Sequence, residues 1–207
     1  MRTFALLPLN KPIEAKSRLS PILTSEERGK LVLSMAKDVL DSLRSVETVL
    51  VCREDVRREF REYEFKFLLQ KGRGLGNAIE AANEYALQKG ADATLFLPAD
   101  VPLVSEAILQ DILSIGENHM LMISPGRRGG LGMLYRRPPD VVGAMFTERS
   151  FDDNLELASS MNVDAFIYNN PELYSDIDTL EDIREFLKVG KGTRSYDFLK
   201  TSLGKIL

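Results

Sequence analysis

Three stretches of this chain set charged residues directly after apolar runs, where an open α/β sheet gathers its ligands. The first runs Pro8-Leu9-Asn10-Lys11-Pro12-Ile13-Glu14-Ala15-Lys16-Ser17-Arg18-Leu19. Lys16 and Arg18 supply charge and fixed donors of the kind that neutralise a triphosphate and its leaving group. Ordinary solvated loop charges are the competing reading. No glycine-rich run ends in Gly-Lys-Ser/Thr here, so this is not a Walker loop. The second stretch is Leu97-Pro98-Ala99-Asp100-Val101-Pro102. An acid between two prolines at the end of a buried run is costly to desolvate alone, and a hard cation is a natural partner. A turn or cap aspartate is the alternative. The third is Asp176-Ile177-Asp178, where alternation puts both carboxylates on one side of an extended segment. Asp178 then completes a Mg²⁺ site with Asp100, or else merely complements the helix that follows.

Two carboxylates on Mg²⁺ leave coordination positions for water and substrate phosphates, which suits nucleotidyl or phosphoryl transfer better than a structural site. If the attacking group is a phosphate, it is already anionic and needs no base. The lone histidine, His119, is accordingly read as a surface or packing residue. Two glycine-rich segments are weaker signals. Gly72-Arg73-Gly74-Leu75-Gly76-Asn77 has the wrong spacing for a dinucleotide fingerprint, but lets backbone approach a base or phosphate. In Pro125-Gly126-Arg127-Arg128-Gly129-Gly130-Leu131-Gly132, the arginines suit a carboxylate or phosphate of an acceptor, although a plain turn reads equally well.

The elements that must position these groups follow from periodicity. Thr3–Leu7, Thr48–Cys52, Phe65–Leu69, Ala93–Leu97 and Met120–Ser124 read as strands. A capping box at Thr24-Ser25-Glu26-Glu27 opens a helix carrying Leu31, Val32, Met35, Val39, Leu40 and Leu43 at helical spacing. Ala78 to Leu87 and Ile108 to Ile115 supply two further crossovers, so the fold class is α/β with mostly parallel strands. After Ser124 the chain reads as irregular, with a short strand Met133-Leu134-Tyr135 and a late strand Asp164–Tyr168. Thr179 with Asp182 caps a helix to Val189, and a basic tail folds back. The expected organisation is a single layered domain over 1–207. Its nucleotide-binding half spans 1–124, its acceptor-binding half 125–189 and its tail 190–207.

Bulk properties narrow the partners. A chain of 207 residues with 44% hydrophobic content builds one core, and a net charge of −4 excludes a broad nucleic-acid footprint. The single cysteine, Cys52, lies in an apolar run and reads as an inert buried thiol, which suits a reducing cytoplasm. No targeting or membrane-spanning segment is expected.

Taken in order, Ala15-Lys16-Ser17-Arg18-Leu19, Leu75 with Asn77-Ala78-Ile79, Leu97 through Leu103, and Asp176-Ile177-Asp178-Thr179 with Glu181-Asp182 resemble the 2-phospho-L-lactate guanylyltransferase family. The resemblance spans nearly the whole chain. It implies a glycosyltransferase-A-like nucleotidyltransferase fold, like that of nucleotide-diphospho-sugar transferases. It also implies transfer of GMP from GTP to 2-phospho-L-lactate or phosphoenolpyruvate, in synthesis of the deazaflavin coenzyme F420. By resemblance Pro8, Asn10, Lys11, Lys16, Arg18, Leu75, Asn77, Pro98 and Asp100 face the nucleotide, and Asp100 and Asp178 hold Mg²⁺. Arg127, Gly129, Gly130, Leu131, Thr147 and Ser150 face a small phosphorylated carboxylic acid, and the protein is a homodimer. Where the family usually has Gly-Gly-Thr-Asn, this chain reads Gly129-Gly130-Leu131-Gly132. Thr147 replaces a glycine, Asn154 a histidine, and Asn10 a lysine that Lys11 adjoins. The departures gather on the acceptor side, so acceptor identity rather than GTP use is what they would alter. A same-fold nucleotidyltransferase with another acceptor, or a non-catalytic nucleotide-binding relative, are the competing readings.

Overall fold

The structure, a computed structural model, describes residues 1–204; the last three residues of the expected tail lie outside them. β1 (Thr3–Leu9), β2 (Glu47–Cys52), β3 (Lys66–Leu69) and β4 (Ala93–Phe96) form a parallel core, as the strand-helix-strand lengths predict. Their order is β3-β2-β1-β4, so that β3 and β4, although joined by a crossover helix, are not the neighbours those lengths also suggest. Their connections carry α1 (Ser25–Ser42), α2 (Leu75–Gln88) and, after β4, α3 (Glu106–Gly116). The box expected at Thr24 forms reciprocally with Glu27, satisfying two otherwise unpaired donors at the start of α1.

Beyond β4 the order departs from a simple succession. β5 (Leu121–Pro125) does not pair with β4; β6 (Leu131–Arg136) lies between them, antiparallel to both, and β7 (Ala165–Ile167) closes the edge parallel to β5. The register Thr94↔Arg136 and Phe96↔Leu134 runs β6 away from the carboxyl end of β4. Its first residues therefore meet the Pro98–Asp100 turn on the same rim of the sheet.

Alternation in β1 sends Ala5, Leu7 and Leu9 to one face, and Phe4 and Leu6 to the other. The first face packs on α1, α3, α5 (Leu180–Val189) and α6 (Arg194–Leu203); the second packs on α2 and α4 (Ser150–Ser160). Two of these helices correct the sequence reading. α4 occupies part of the segment read as irregular, and α6 is the folded-back tail, tied down where the buried Asp38 carboxylate accepts from Arg194 N, Ser195 N and Ser195 Oγ. Among the described residues no helix is long and apolar enough to cross a membrane.

Candidate active site

After β1 the chain makes two short 3-10 turns, Pro12–Glu14 and Ser17–Leu19, joined at Lys16. Buried Ala15 and Leu19 anchor this loop, and Arg28 donates to the Ala15 and Leu23 carbonyls from α1. Lys16 is held left-handed at φ 54°, a conformation that costs a non-glycine residue about 1 kcal/mol or more and persists where surrounding structure imposes it. Its side chain, 6% exposed, reaches Asp100 Oδ2 at 2.5 Å and Asp178 Oδ1 at 2.7 Å. The sheet thus joins groups 84 and 162 residues apart in sequence. Burial opposes the Lys16 charge, but attraction to the two carboxylates outweighs it and lifts its pKa above the ordinary lysine value.

Asp178 is fixed by the turn that starts α5. The Asp182 carboxylate accepts from the backbone N–H groups of Asp178 and Thr179, and Thr179 Oγ1 accepts from Asp182 N, the cap expected from sequence. Asp176 joins the cleft beside them, as the alternation of Asp176 and Asp178 implies. Burial first, then the charges of Asp100 and Asp178, push its carboxyl up to about 6. Its Oδ1 is buried without a hydrogen-bond partner, Arg127 Nε standing 3.6 Å away.

These acids bear directly on whether a divalent ion fits. Two of them already converge on one ammonium, and the third keeps a buried oxygen without a hydrogen-bond partner; carboxylate oxygens are the donors a hard cation prefers. Among the described residues no three acids, histidines or cysteines stand ready-made around an ion, and Asp100 and Asp178 are held by Lys16. Asp100 and Asp178, with Asp176 beside them, are therefore fit to hold a divalent ion once the ammonium withdraws.

The cleft, about 300 Å³, is lined by Pro8, Asn10, Lys16, Leu75, Pro98 and Asp100 on the β1/β4 side, and by Arg127, Gly130, Leu131, Thr147 and Ser150 opposite. Phe146, which the sequence reading passed over, stacks edge-on against Phe96 at 5.1 Å and gives the cleft an apolar wall. No local sequence signal marks it. Other expected residues sit at the margin. Arg18 is 65% exposed with a guanidinium nitrogen 3.8 Å from Asp178, free to swing toward a ligand. Lys11 turns to Glu14 and Glu54, Asn77 donates to the Arg73 carbonyl at the entry of α2, and Gly129 lies against Glu148 at φ 82°.

On the acceptor side most polar groups are already engaged. Arg127 donates to the Tyr174 carbonyl, Asp182 and Glu185, while Arg128 pairs with Asp182 at 3.0 Å. Ser150 Oγ donates to the Thr147 carbonyl, and Thr147 Oγ1 bonds Asp153. These residues shape the loop rather than present free donors, and the partners of the two arginines, 47 to 58 residues away, are too distant in sequence for the local pattern to reveal them.

A family model described as "Guanylyl transferase CofC like" matches residues 3–205. The chain belongs to this family. Within it, the chain is 34% identical over 201 residues to the 2-phospho-L-lactate guanylyltransferase of Methanocaldococcus jannaschii, covering 96% of this chain and 88% of the relative. It is 35% identical over 189 residues to the phosphoenolpyruvate guanylyltransferase of Rubrobacter xylanophilus, covering 88% and 92%. A Desulfovibrio desulfuricans crystal structure described as a nucleotide-diphospho-sugar transferase superposes with a TM-score of 0.83 at 19% identity, covering 99% of this chain and 96% of that one. That likeness establishes the shared fold, and the CofC-like family accounts for the order of the motifs along it.

Proposed function

We propose that the protein is a guanylyltransferase that moves GMP from GTP to a small phosphorylated carboxylic acid, 2-phospho-L-lactate or phosphoenolpyruvate, and releases pyrophosphate in F420 synthesis. The observation that carries this reading is the meeting of Lys16 with Asp100 and Asp178 at the rim where β1 and β4 end. A phosphate oxygen of the acceptor attacks the α-phosphorus of GTP; the bond to the β-phosphate breaks and its electrons leave with pyrophosphate. The acceptor phosphate is the nucleophile, so no side chain need remove a proton. Bound Mg²⁺ at Asp100 and Asp178 would supply neutralising charge for the phosphates. Lys16 leaves its carboxylates for the triphosphate, and exposed Arg18 closes on the departing pyrophosphate, where developing charge makes fixed cations most effective. The 1–124 half then serves the nucleotide and 125–189 the acceptor. Phe146 and Leu131 supply an apolar wall suited to the carbon skeleton of a three-carbon acid.

Pyrophosphate release, measured with each nucleoside triphosphate against 2-phospholactate, phosphoenolpyruvate and 3-phosphoglycerate, tests the reading. Release with GTP and one of the first two acids supports it, and release with neither sinks it. The same reading carries Mg²⁺ as the ion, a homodimer and a cytoplasmic location. Metal substitution, light scattering and cell fractionation check these in turn.

A further inference from the structure

The phosphate cleft does not end at the β1 rim. Pro8, Leu9, Asn10 and Leu75 line it and also line an adjoining concavity of about 320 Å³ between the loop after β1 and the entry of α2. A nucleoside triphosphate with its phosphates at Lys16 and its acceptor at Leu131 must extend its sugar and base away from both, and this concavity is the continuous way out. Its apolar base is Leu9, Leu75 and Ala78. On its wall Arg53 Nη2 donates to Glu14 Oε2 at 2.8 Å, and Lys11 donates to Glu14 Oε1 at 3.1 Å. Those hydrogen bonds hold the Glu14 carboxyl below the usual glutamate range, so it presents an anionic acceptor. Gln70 is fixed by its backbone N–H to the Cys52 carbonyl and by its side-chain amide to the Gly74 carbonyl.

We propose that this concavity is the nucleobase subsite and that Glu14 and Arg53 are the residues that select guanine. The inference rests on the GTP reading above and adds the basis of its selectivity. Guanine offers two donors side by side, N1–H and the N2 amine, and two acceptors, O6 and N7. A carboxylate answers the donors and a guanidinium the acceptors. Adenine inverts the pattern at position 6, placing an amine against Arg53 and an acceptor nitrogen against Glu14, so the pair repels it. Both side chains are half open, 52% for Glu14 and 33% for Arg53, and can part to admit a base edge.

The test is binding of GTP, ITP, XTP and ATP with Mg²⁺ by calorimetry, which does not depend on finding the acceptor. The wild-type protein should favour GTP over ITP, which lacks the N2 amine, by about ten- to a hundredfold, the range of one charge-assisted hydrogen bond. In Glu14→Gln the amide donates to the xanthine O2, so affinity should move from GTP toward XTP by a similar factor. Arg53→Met should weaken GTP and ITP alike, since both keep O6. Circular dichroism melts of both variants establish that they fold. Wild-type binding indifferent to the base, or a Glu14→Gln variant with the parental GTP to XTP ratio, overturns the assignment. Guanine-selective binding that shifts as stated, without pyrophosphate release from any acceptor, upholds the subsite and rejects the transferase reading instead.

Discussion

The ammonium of Lys16 lies 2.5 Å from Asp100 Oδ2 and 2.7 Å from Asp178 Oδ1, occupying the space between the two carboxylates that would hold a divalent ion. Two cations cannot share that space, so each must weaken the other's hold. Lys16→Met should raise the affinity of the nucleotide-free protein for Mn²⁺ on the order of tenfold while lowering turnover about 10²- to 10³-fold, the usual loss of one transition-state donor. Electron paramagnetic resonance titration of free Mn²⁺ reads the first effect without any substrate. Unchanged Mn²⁺ affinity would show that the lysine and the ion do not compete.

Asp176 keeps an unpaired buried oxygen next to two other acids, an arrangement that costs stability in the absence of ligand. Asp176→Asn relieves the repulsion at nearly constant volume. It should stabilise the ligand-free protein by about 1 kcal/mol, a rise in Tm of roughly 2–4 °C for a chain of this size. Guanylyl transfer should fall, since sites for charged ligands give up stability for function. Thermal melts without metal or nucleotide check the sign, and a lower Tm would mean that the carboxylate is better compensated than its surroundings indicate.

What the sequence disclosed and what it hid divide along physical lines. Lys16 and Asp100 are legible because each lies just after an apolar run, and β1 and β4 are neighbours whose ends share one rim. Asp178 is legible instead from its alternation with Asp176 ahead of the Thr179 cap, in a loop that strand order alone does not place. The position of β6 was not legible: the length of the α3 connection says that β5 is parallel to β4, but not that a returning strand will pair between them. α4 escaped notice because Arg149 at its start makes no side-chain cap, leaving only a modest apolar stripe. α6 did carry a signal, Thr193 accepting from Tyr196 N as a cap, in a segment whose most conspicuous feature is its basic charge. The engagement of Arg127 by Asp182 and Glu185 spans 55 and 58 residues, beyond any local pattern.

The tether of α6 gives a pH signature away from the active site. Burial raises the Asp38 pKa, and its bonds from Ser195 and Arg194 only partly oppose the shift. A folded-state value above the unfolded one means that this group's contribution is fully present below about pH 4, the ordinary aspartate value, and is lost as pH rises through the raised value. Asp38→Asn should therefore melt with a flatter Tm profile over that interval than the parent protein. Asp38→Ala, which strands the donors of Arg194 and Ser195, should cost about 1–3 kcal/mol at low pH and less as pH rises through the raised value. Parallel melting curves across the acid range decide it, and identical slopes for parent and Asn variant would exclude Asp38 as the titrating group.

Gly132 stands where the family resemblance leads one to expect asparagine, and here main-chain atoms crowd the position a side chain would take. A Cβ at this position would lie 2.6 Å from the Pro125 carbonyl oxygen and 2.8 Å from that of Leu173. Both obstacles are main chain, so neither can swing aside as a side-chain tip would. Gly132→Ala should destabilise by about 1–3 kcal/mol through overpacking, and Gly132→Asn by more, despite restoring the more usual residue. The strain should also reach catalysis, because Leu173 belongs to the 3-10 turn Pro171–Tyr174 that leads into Asp176 and Asp178. Tm and pyrophosphate release should fall together in Gly132→Asn; an active variant of undiminished Tm would mean that this loop is free to adopt the more usual arrangement.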